Sequence, residues 1–246
     1  MMFHLLACVR RSCCSLKLGL CLTIFFAVLA PQSQGQEQSA SVPQQHAYFD
    51  STAKWPSPSI YVCLENPDDR FKTDIALVKT ALGDSWEAAS AVRFTGWEKC
   101  APENAGVHIL IDDSGPLALE LGSRLDGMKS GIVLNFTFNK WGSLNCKSTH
   151  DFCVRSIAVH EFGHALGFAH EQNRPDAPGE CQQLHDGPKG TIPLTPYDTQ
   201  SVMNYCGKAK AYSNDGKLSD YDKEAVGKEY GLTPASSGRE VALTIQ

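Results

Sequence analysis

The sequence predicts an α+β domain, and three observations predict it. Four short β-rich runs lie before residue 140, with one long amphipathic stretch between the first and second. A further helical stretch, 154–168, carries closely spaced histidines. Beyond residue 170 the periodicity is lost until one short terminal helix, so strands and helices do not alternate as strict βαβ units.

Taken in order, residues 36–58 are rich in Gln, Ser and Pro and read as a flexible lead-in or short pro-segment. Residues 60–64 alternate and carry Tyr and Val, which reads as a strand. From 73 to 91, Ile75, Val78, Ala81, Leu82 and Ala89 recur at helical spacing and predict one long amphipathic helix. Residues 92–97 and 107–111 are β-rich runs, followed by a turn at 112–116 (Asp-Asp-Ser-Gly-Pro) and another strand at 131–138. In 154–168, Val154, Ile157, Ala158, Ala165 and Phe168 supply an apolar face. Residues 171–199 hold five prolines and no period, which suits a compact domain only if the segment is functional or cross-linked. Ser219 followed by Asp220 and Asp222 reads as an N-cap with an acidic first turn, opening a helix that runs to Tyr230 and stops at Gly231. Residues 234–246 read as a tail.

The N-terminus reads as an export signal over 1–35. Arg10, Arg11 and Lys17 precede an apolar run at 18–30, and Ser33 and Gly35 offer small residues for cleavage after Gly35. That run is short for a membrane span, so no stable span is expected once the signal is removed. Residues 1–35 carry three basic residues and no acidic ones, so their removal takes the formal net charge from −5 to −8. A chain this acidic has no basic field for nucleic acid. Four of the ten cysteines lie in the signal. The remaining six (Cys63, Cys100, Cys146, Cys153, Cys181, Cys206) predict three disulfides in an exported chain, with 15 possible pairings. Cys146–Cys153 would close a short loop before the histidine helix, and Cys181–Cys206 could then brace the segment around residue 203.

The chemistry gathers in 160–171, His-Glu-Phe-Gly-His-Ala-Leu-Gly-Phe-Ala-His-Glu. His160 and His164 are four apart and project from one face of a helix, where two imidazoles can take two corners of a tetrahedral zinc site. Glu161 places a carboxylate beside the metal, as a general base toward zinc-bound water. Gly167 ends the helix in a sharp turn that brings His170 round as a third ligand. Three protein ligands leave one position open, which marks a catalytic rather than a structural zinc site.

The stretch from His160 to His170 resembles the long zinc signature of the metzincin metallopeptidases, and 168–174 (Phe-Ala-His-Glu-Gln-Asn-Arg) is most similar to the astacin branch. Residues 201–205 (Ser-Val-Met-Asn-Tyr) resemble the methionine turn of that branch. The resemblance implies a catalytic domain over 59–233 with a mixed twisted sheet, a zinc helix above the cleft and an irregular C-terminal subdomain. It implies that the strand at 131–138 borders the cleft and pairs its open edge with an extended peptide substrate. It implies one Zn2+ on His160, His164 and His170, Met203 packed under the metal, and Tyr205 as the donor to the reaction's oxyanion. Glu171 matches a glutamate that in astacins pairs with the new N-terminus of the mature enzyme. The expected protein is therefore a secreted, monomeric zinc endopeptidase. A silent metzincin-like binding module and a zinc amidase acting on a non-protein substrate are the alternatives, since fold and metal do not fix the substrate. His108, His150 and His185 are not needed for this scheme, and the sequon at Asn135 is read as coincidental.

Overall fold

The computed structural model describes residues 47–141, 145–206 and 215–232. The expected signal (1–35), residues 36–46 of the lead-in and the tail lie outside the described residues. Among these, five strands form one sheet: β2 (Ser59–Leu64), β3 (Arg93–Lys99), β4 (Val107–Ile111), β5 (Leu117–Ala118) and β6 (Ile132–Leu134), in the order β3-β2-β4-β6-β5. All neighbours are parallel except β5, which runs antiparallel to β6. Alternation sends Ile60, Val62 and Leu64 of β2, and Val107, Ile109 and Ile111 of β4, into the core. There they meet Val78, Ala81 and Leu82 of α1 (Lys72–Asp84) and Val154, Ile157, Ala158 and Phe162 of α3 (His150–Ala165). Cys63 is joined to Cys100, tying the end of β2 to the end of β3.

Four expectations change. The single helix expected over 73–91 breaks at Ser85, whose hydroxyl donates to Ala81 O at 2.6 Å and so competes with the helical ladder. A short α2 (Trp86–Ala89) follows, and the break buries Trp86, whose indole N–H donates to Val159 O of α3. The strand expected over 131–138 stops at Leu134. Beyond it the buried Asn135 carboxamide accepts from the N–H groups of Thr137 and Phe138, so its side chain folds the backbone into a turn. The edge strand on that side is β5, which is too short to leave a periodic signal, and not the strand at 131–138, now interior as β6. Lastly, residues 47–58 belong to the fold. β1 (Tyr48–Phe49) pairs antiparallel with β7 (Ile192–Pro193), and Phe49 is fully buried against Phe168.

The irregular region after α3 contains α4 (Gly179–Gln182) and ends in α5 (Asp220–Tyr230), which opens with the expected Ser219 cap. The Ser219 hydroxyl accepts from Asp222 N–H, and the Asp222 carboxylate accepts from Ser219 N–H. Disulfides Cys146–Cys153 and Cys181–Cys206 form as the spacing suggested. Trp55 and Tyr230 donate to Ala165 O and Leu166 O, satisfying the last carbonyls of α3 just before the chain turns toward the third histidine.

Candidate metal centre

His160 and His164 project from α3, and Gly167 then takes φ +98°. A Cβ at Gly167 would press into the Phe49 ring, so both the turn and the close approach require glycine. The turn is zipped along its length by Asp50 N–H donating to Gly167 O and Ala169 N–H donating to Tyr48 O. His170 follows, and the three imidazoles converge. His160 Nε2 lies 3.3 Å from His170 Nε2, and His164 Nε2 lies 3.1 Å from it. Each ring's other nitrogen faces a backbone carbonyl: Nδ1 of His160 with Val202 O (2.7 Å), of His164 with Phe168 O (2.8 Å), and of His170 with Asp186 O (2.9 Å).

These contacts decide the chemistry. A carbonyl only accepts, so each Nδ1 carries the proton and each Nε2 presents a lone pair toward the others. Burial keeps the rings neutral. It pushes His160 down to about 3 and His164 well below its ordinary value, with the neighbouring histidines adding to the effect, and it lowers His170 as well. Three converging lone pairs repel unless a cation lies between them. Zinc–nitrogen bonds of about 2.0–2.1 Å set tetrahedral edges of roughly 3.3 Å, close to the separations seen. The donor set fits one zinc ion.

Residues 201–205 support this from below. Met203 is buried under α3, and a Cβ at Gly163 would collide with Met203 Sδ and crowd Trp86, so glycine between the two helical histidines makes room for the methionine. The turn is gripped by Asp222, which accepts from Ser201 Oγ (2.7 Å) and Val202 N–H (3.0 Å). A chain of contacts thus runs from α5 through Val202 to His160. Burial pushes Asp222 up to about 6 against these hydrogen bonds. The Tyr205 hydroxyl lies 3.2 Å from His160 Nε2, and its ring lies against His170. Glu161 is buried, one residue along α3 from His160. Glu171 is buried too. It is paired with Arg174 at 3.2 Å and accepts from Asp198 N–H, and burial pushes it up to about 8 although the guanidinium opposes this. The structure therefore gives Glu171 internal partners.

Asp222, Trp86 and the three carbonyls were not singled out from sequence as parts of the site. Only the capping pattern at 219–222 left a trace, and it gave no hint of a turn some 20 residues earlier. Cys63, Cys100 and His108 also cluster, but both sulfurs are consumed in a disulfide and His108 contacts Asn104 O and Glu65.

The Astacin peptidase family matches residues 143–182, the segment holding all three histidines. Over that stretch the chain is similar to astacins. It is 35% identical over 100 residues to zinc metalloproteinase nas-14 of Caenorhabditis elegans, covering 34% of this chain and 20% of that protein. The chain thus spans about a fifth of that relative's length. The structure of myroilysin shares the fold, with a TM-score of 0.54 at 20% identity, covering 75% of this chain and 98% of that one. The astacin-like stretch coincides with α3, the glycine turn and the start of the irregular segment.

Proposed function

We propose that this astacin-like protein is a secreted zinc endopeptidase that cleaves peptide bonds in extended substrates. The observation that carries the reading is the convergence of three neutral, carbonyl-oriented imidazoles with the Tyr205 hydroxyl beside them. Zinc, when bound, supplies a Lewis acid that acidifies water and polarises the scissile carbonyl. The rest falls to the chain. His160, His164 and His170 hold the ion, and their carbonyl partners fix ring orientation and tautomer. Glu161 takes the proton of the attacking water and passes it to the leaving amine. Its position within a buried helix removes competing bulk water and strengthens both transfers. Tyr205 donates to the developing oxyanion, with the backbone of its turn held by the Gln172 carboxamide and Asp222.

Export is supported by three disulfides among the described residues and by the N-terminal signal pattern. Among the described residues no helix is long and apolar enough to cross a membrane. The deciding experiment compares zinc-loaded wild type with Glu161→Gln on an unfolded protein substrate. The wild type should cut, and a chelator should stop it. The variant should hold the same zinc and lose about 10²–10⁴-fold in rate, the range of general-base catalysis. Cutting by the variant at the wild-type rate would remove Glu161 from the mechanism. A zinc-loaded wild type that cuts no protein would refute the peptidase reading.

A further inference from the structure

Alternation along the sheet leaves a second set of side chains facing away from the helices. Ile60, Val62 and Leu64 of β2 and Val107, Ile109 and Ile111 of β4 point into the core with α1 and α3. Cys63 and His108 therefore point to the other face. The parallel register sets Cys63 beside His108. Cys100, just past β3, reaches the same place, its N–H donating to Leu64 O. The two sulfurs and a ring nitrogen of His108 lie within 4.8 Å of one another.

Glu65 adds a fourth donor. Its N–H continues the ladder to Ile109 O, which keeps its side chain on the Cys63 face. One carboxylate oxygen accepts from Ser130 N–H (2.6 Å) and the other from Ser130 Oγ (2.9 Å), so the group is held in place. His108 Nε2 faces Asn104 O at 2.9 Å, and since a carbonyl only accepts, that nitrogen carries a proton. Nδ1 is the ring's coordinating position, 3.6 Å from Glu65 Oε1. A cavity of about 760 Å³ opens onto the cluster, bordered by Glu65, Cys100, His108, Lys129 and Ser130. Cys63 is fully buried, whereas Cys100 borders the cavity, so an incoming thiol meets the Cys100 sulfur.

We propose that reduction of the Cys63–Cys100 bridge opens a second zinc site, formed by the two thiolates, His108 Nδ1 and the Glu65 carboxylate. A small thiolate entering the cavity attacks Cys100 Sγ, the sulfur–sulfur bond breaks, and its electron pair leaves with Cys63. A second thiolate attacks the external sulfur of the mixed disulfide and releases Cys100. Two external thiols are thus oxidised to one disulfide while the bridge is reduced to two cysteines. Zinc then displaces the two thiol protons. Zinc–sulfur bonds of about 2.3 Å place two thiolates roughly 3.8 Å apart. The cysteine Cα atoms stand 4.9 Å apart, so both thiolates remain within reach of one ion. Thiolate and imidazole are donors that zinc favours, and Ser130 orients the carboxylate. The ion takes over the tie between the ends of β2 and β3 that the bridge held. None of these residues belongs to the His160 site, so the inference stands apart from the endopeptidase reading.

The test starts from protein carrying one zinc on its histidines and titrates it with cobalt(II), whose thiolate complexes absorb by charge transfer in the near ultraviolet. Mass mapping after alkylation reports which bridges a phosphine reductant has opened. The oxidised protein should show no such absorption. Folded protein with Cys63 and Cys100 open should take up one further cobalt and gain the band. Zinc should displace that cobalt, raise the melting temperature of the reduced protein and shield both thiols from alkylation. Cys63→Ser/Cys100→Ser should lose the band under the same reduction. His108→Gln, which keeps its bridge until reduced, should bind cobalt about tenfold more weakly or worse. The inference would be overturned by open thiols that take up no cobalt, or by a band that survives in the double variant. An unchanged titration in His108→Gln, a bridge that stays closed in excess reductant, or unfolding on reduction would overturn it equally.

Discussion

The sheet with α1 and α3, and the irregular segment from His170 to Cys206, are held by different forces. In the first, apolar side chains at alternating or helical spacing fill one continuous core, and the buried polar side chains of these elements are His108 on β4 and Ser156 with the site residues His160, Glu161 and His164 on α3. In the second, Glu171, Asn173, Arg174, Thr195, Asp198, Ser201 and Asn204 are all buried, and the backbone leans on them. Arg174 alone donates to Thr195 O and Asp176 while pairing with Glu171. Apolar packing tolerates replacement by a similar shape, whereas a buried ionic network requires particular donors in particular places. Both regions contribute histidines to the cluster, so the candidate metal centre joins a tolerant scaffold to an intolerant one.

The largest contrast should come from like-for-like substitution. Arg174→Met leaves Glu171 buried without its cation and should cost about 3–5 kcal/mol in urea unfolding. Arg174→Lys should recover little, since an ammonium cannot reproduce a fork that reaches Thr195 O and Asp176 together. On the scaffold side, Leu134→Met should cost under about 1.5 kcal/mol. If Arg174→Lys proved as mild as Leu134→Met, the distinction between the two regions would collapse.

A smaller effect is expected from the cross-link in the irregular segment. Replacing Cys181 and Cys206 together by serine removes a constraint spanning 25 residues and should cost about 2–4 kcal/mol in thermal unfolding. Because Cys206 follows Tyr205 directly, the variant should also lose kcat more than KM, whereas the same change at Cys63 and Cys100 should lower stability alone.

Smaller again is the effect of Asp222→Asn. The carboxamide offers one acceptor oxygen where Ser201, Val202 and Ser219 present three donors, so the turn under His160 loosens. Zinc affinity should fall about tenfold, as for other groups that orient ligands. Asp222 has its folded pKa raised from 3.8 to about 6, so the folded state binds the proton more tightly. The stability it contributes is fully present below 3.8 and is lost as pH rises through about 6. The variant should therefore flatten the pH–stability curve of the metal-free protein in that window. A decline extending toward pH 8 should remain, because burial also raises Glu171.

The same division explains what the sequence disclosed. Elements driven by apolar periodicity were legible: β2, β4, most of α1, α3 and α5 lie close to their expected positions. The clustering of His160, His164 and His170 was legible because their spacing is itself the geometry of a helix followed by a glycine turn. Features resting on side-chain hydrogen bonds were not. The Ser85 hydroxyl breaks a helix that the apolar pattern carries through, and the Asn135 carboxamide ends a strand whose β-rich composition continues to Phe138. β1, β5 and β7 are two residues each, too short to express a period, yet β1 buries Phe49 against the glycine turn and β5 forms the sheet edge. The carbonyls of Val202, Phe168 and Asp186, which orient the three ligands, have no side-chain signature at all.

X-ray absorption at the zinc edge of the protein loaded with one equivalent of zinc reads the ion's ligand set itself. One tightly held ion is expected, with three imidazole nitrogens at about 2.0–2.1 Å and no sulfur. Single His→Ala changes at 160, 164 and 170 should each remove one imidazole. A sulfur ligand, or a folded protein that binds no zinc, would contradict it.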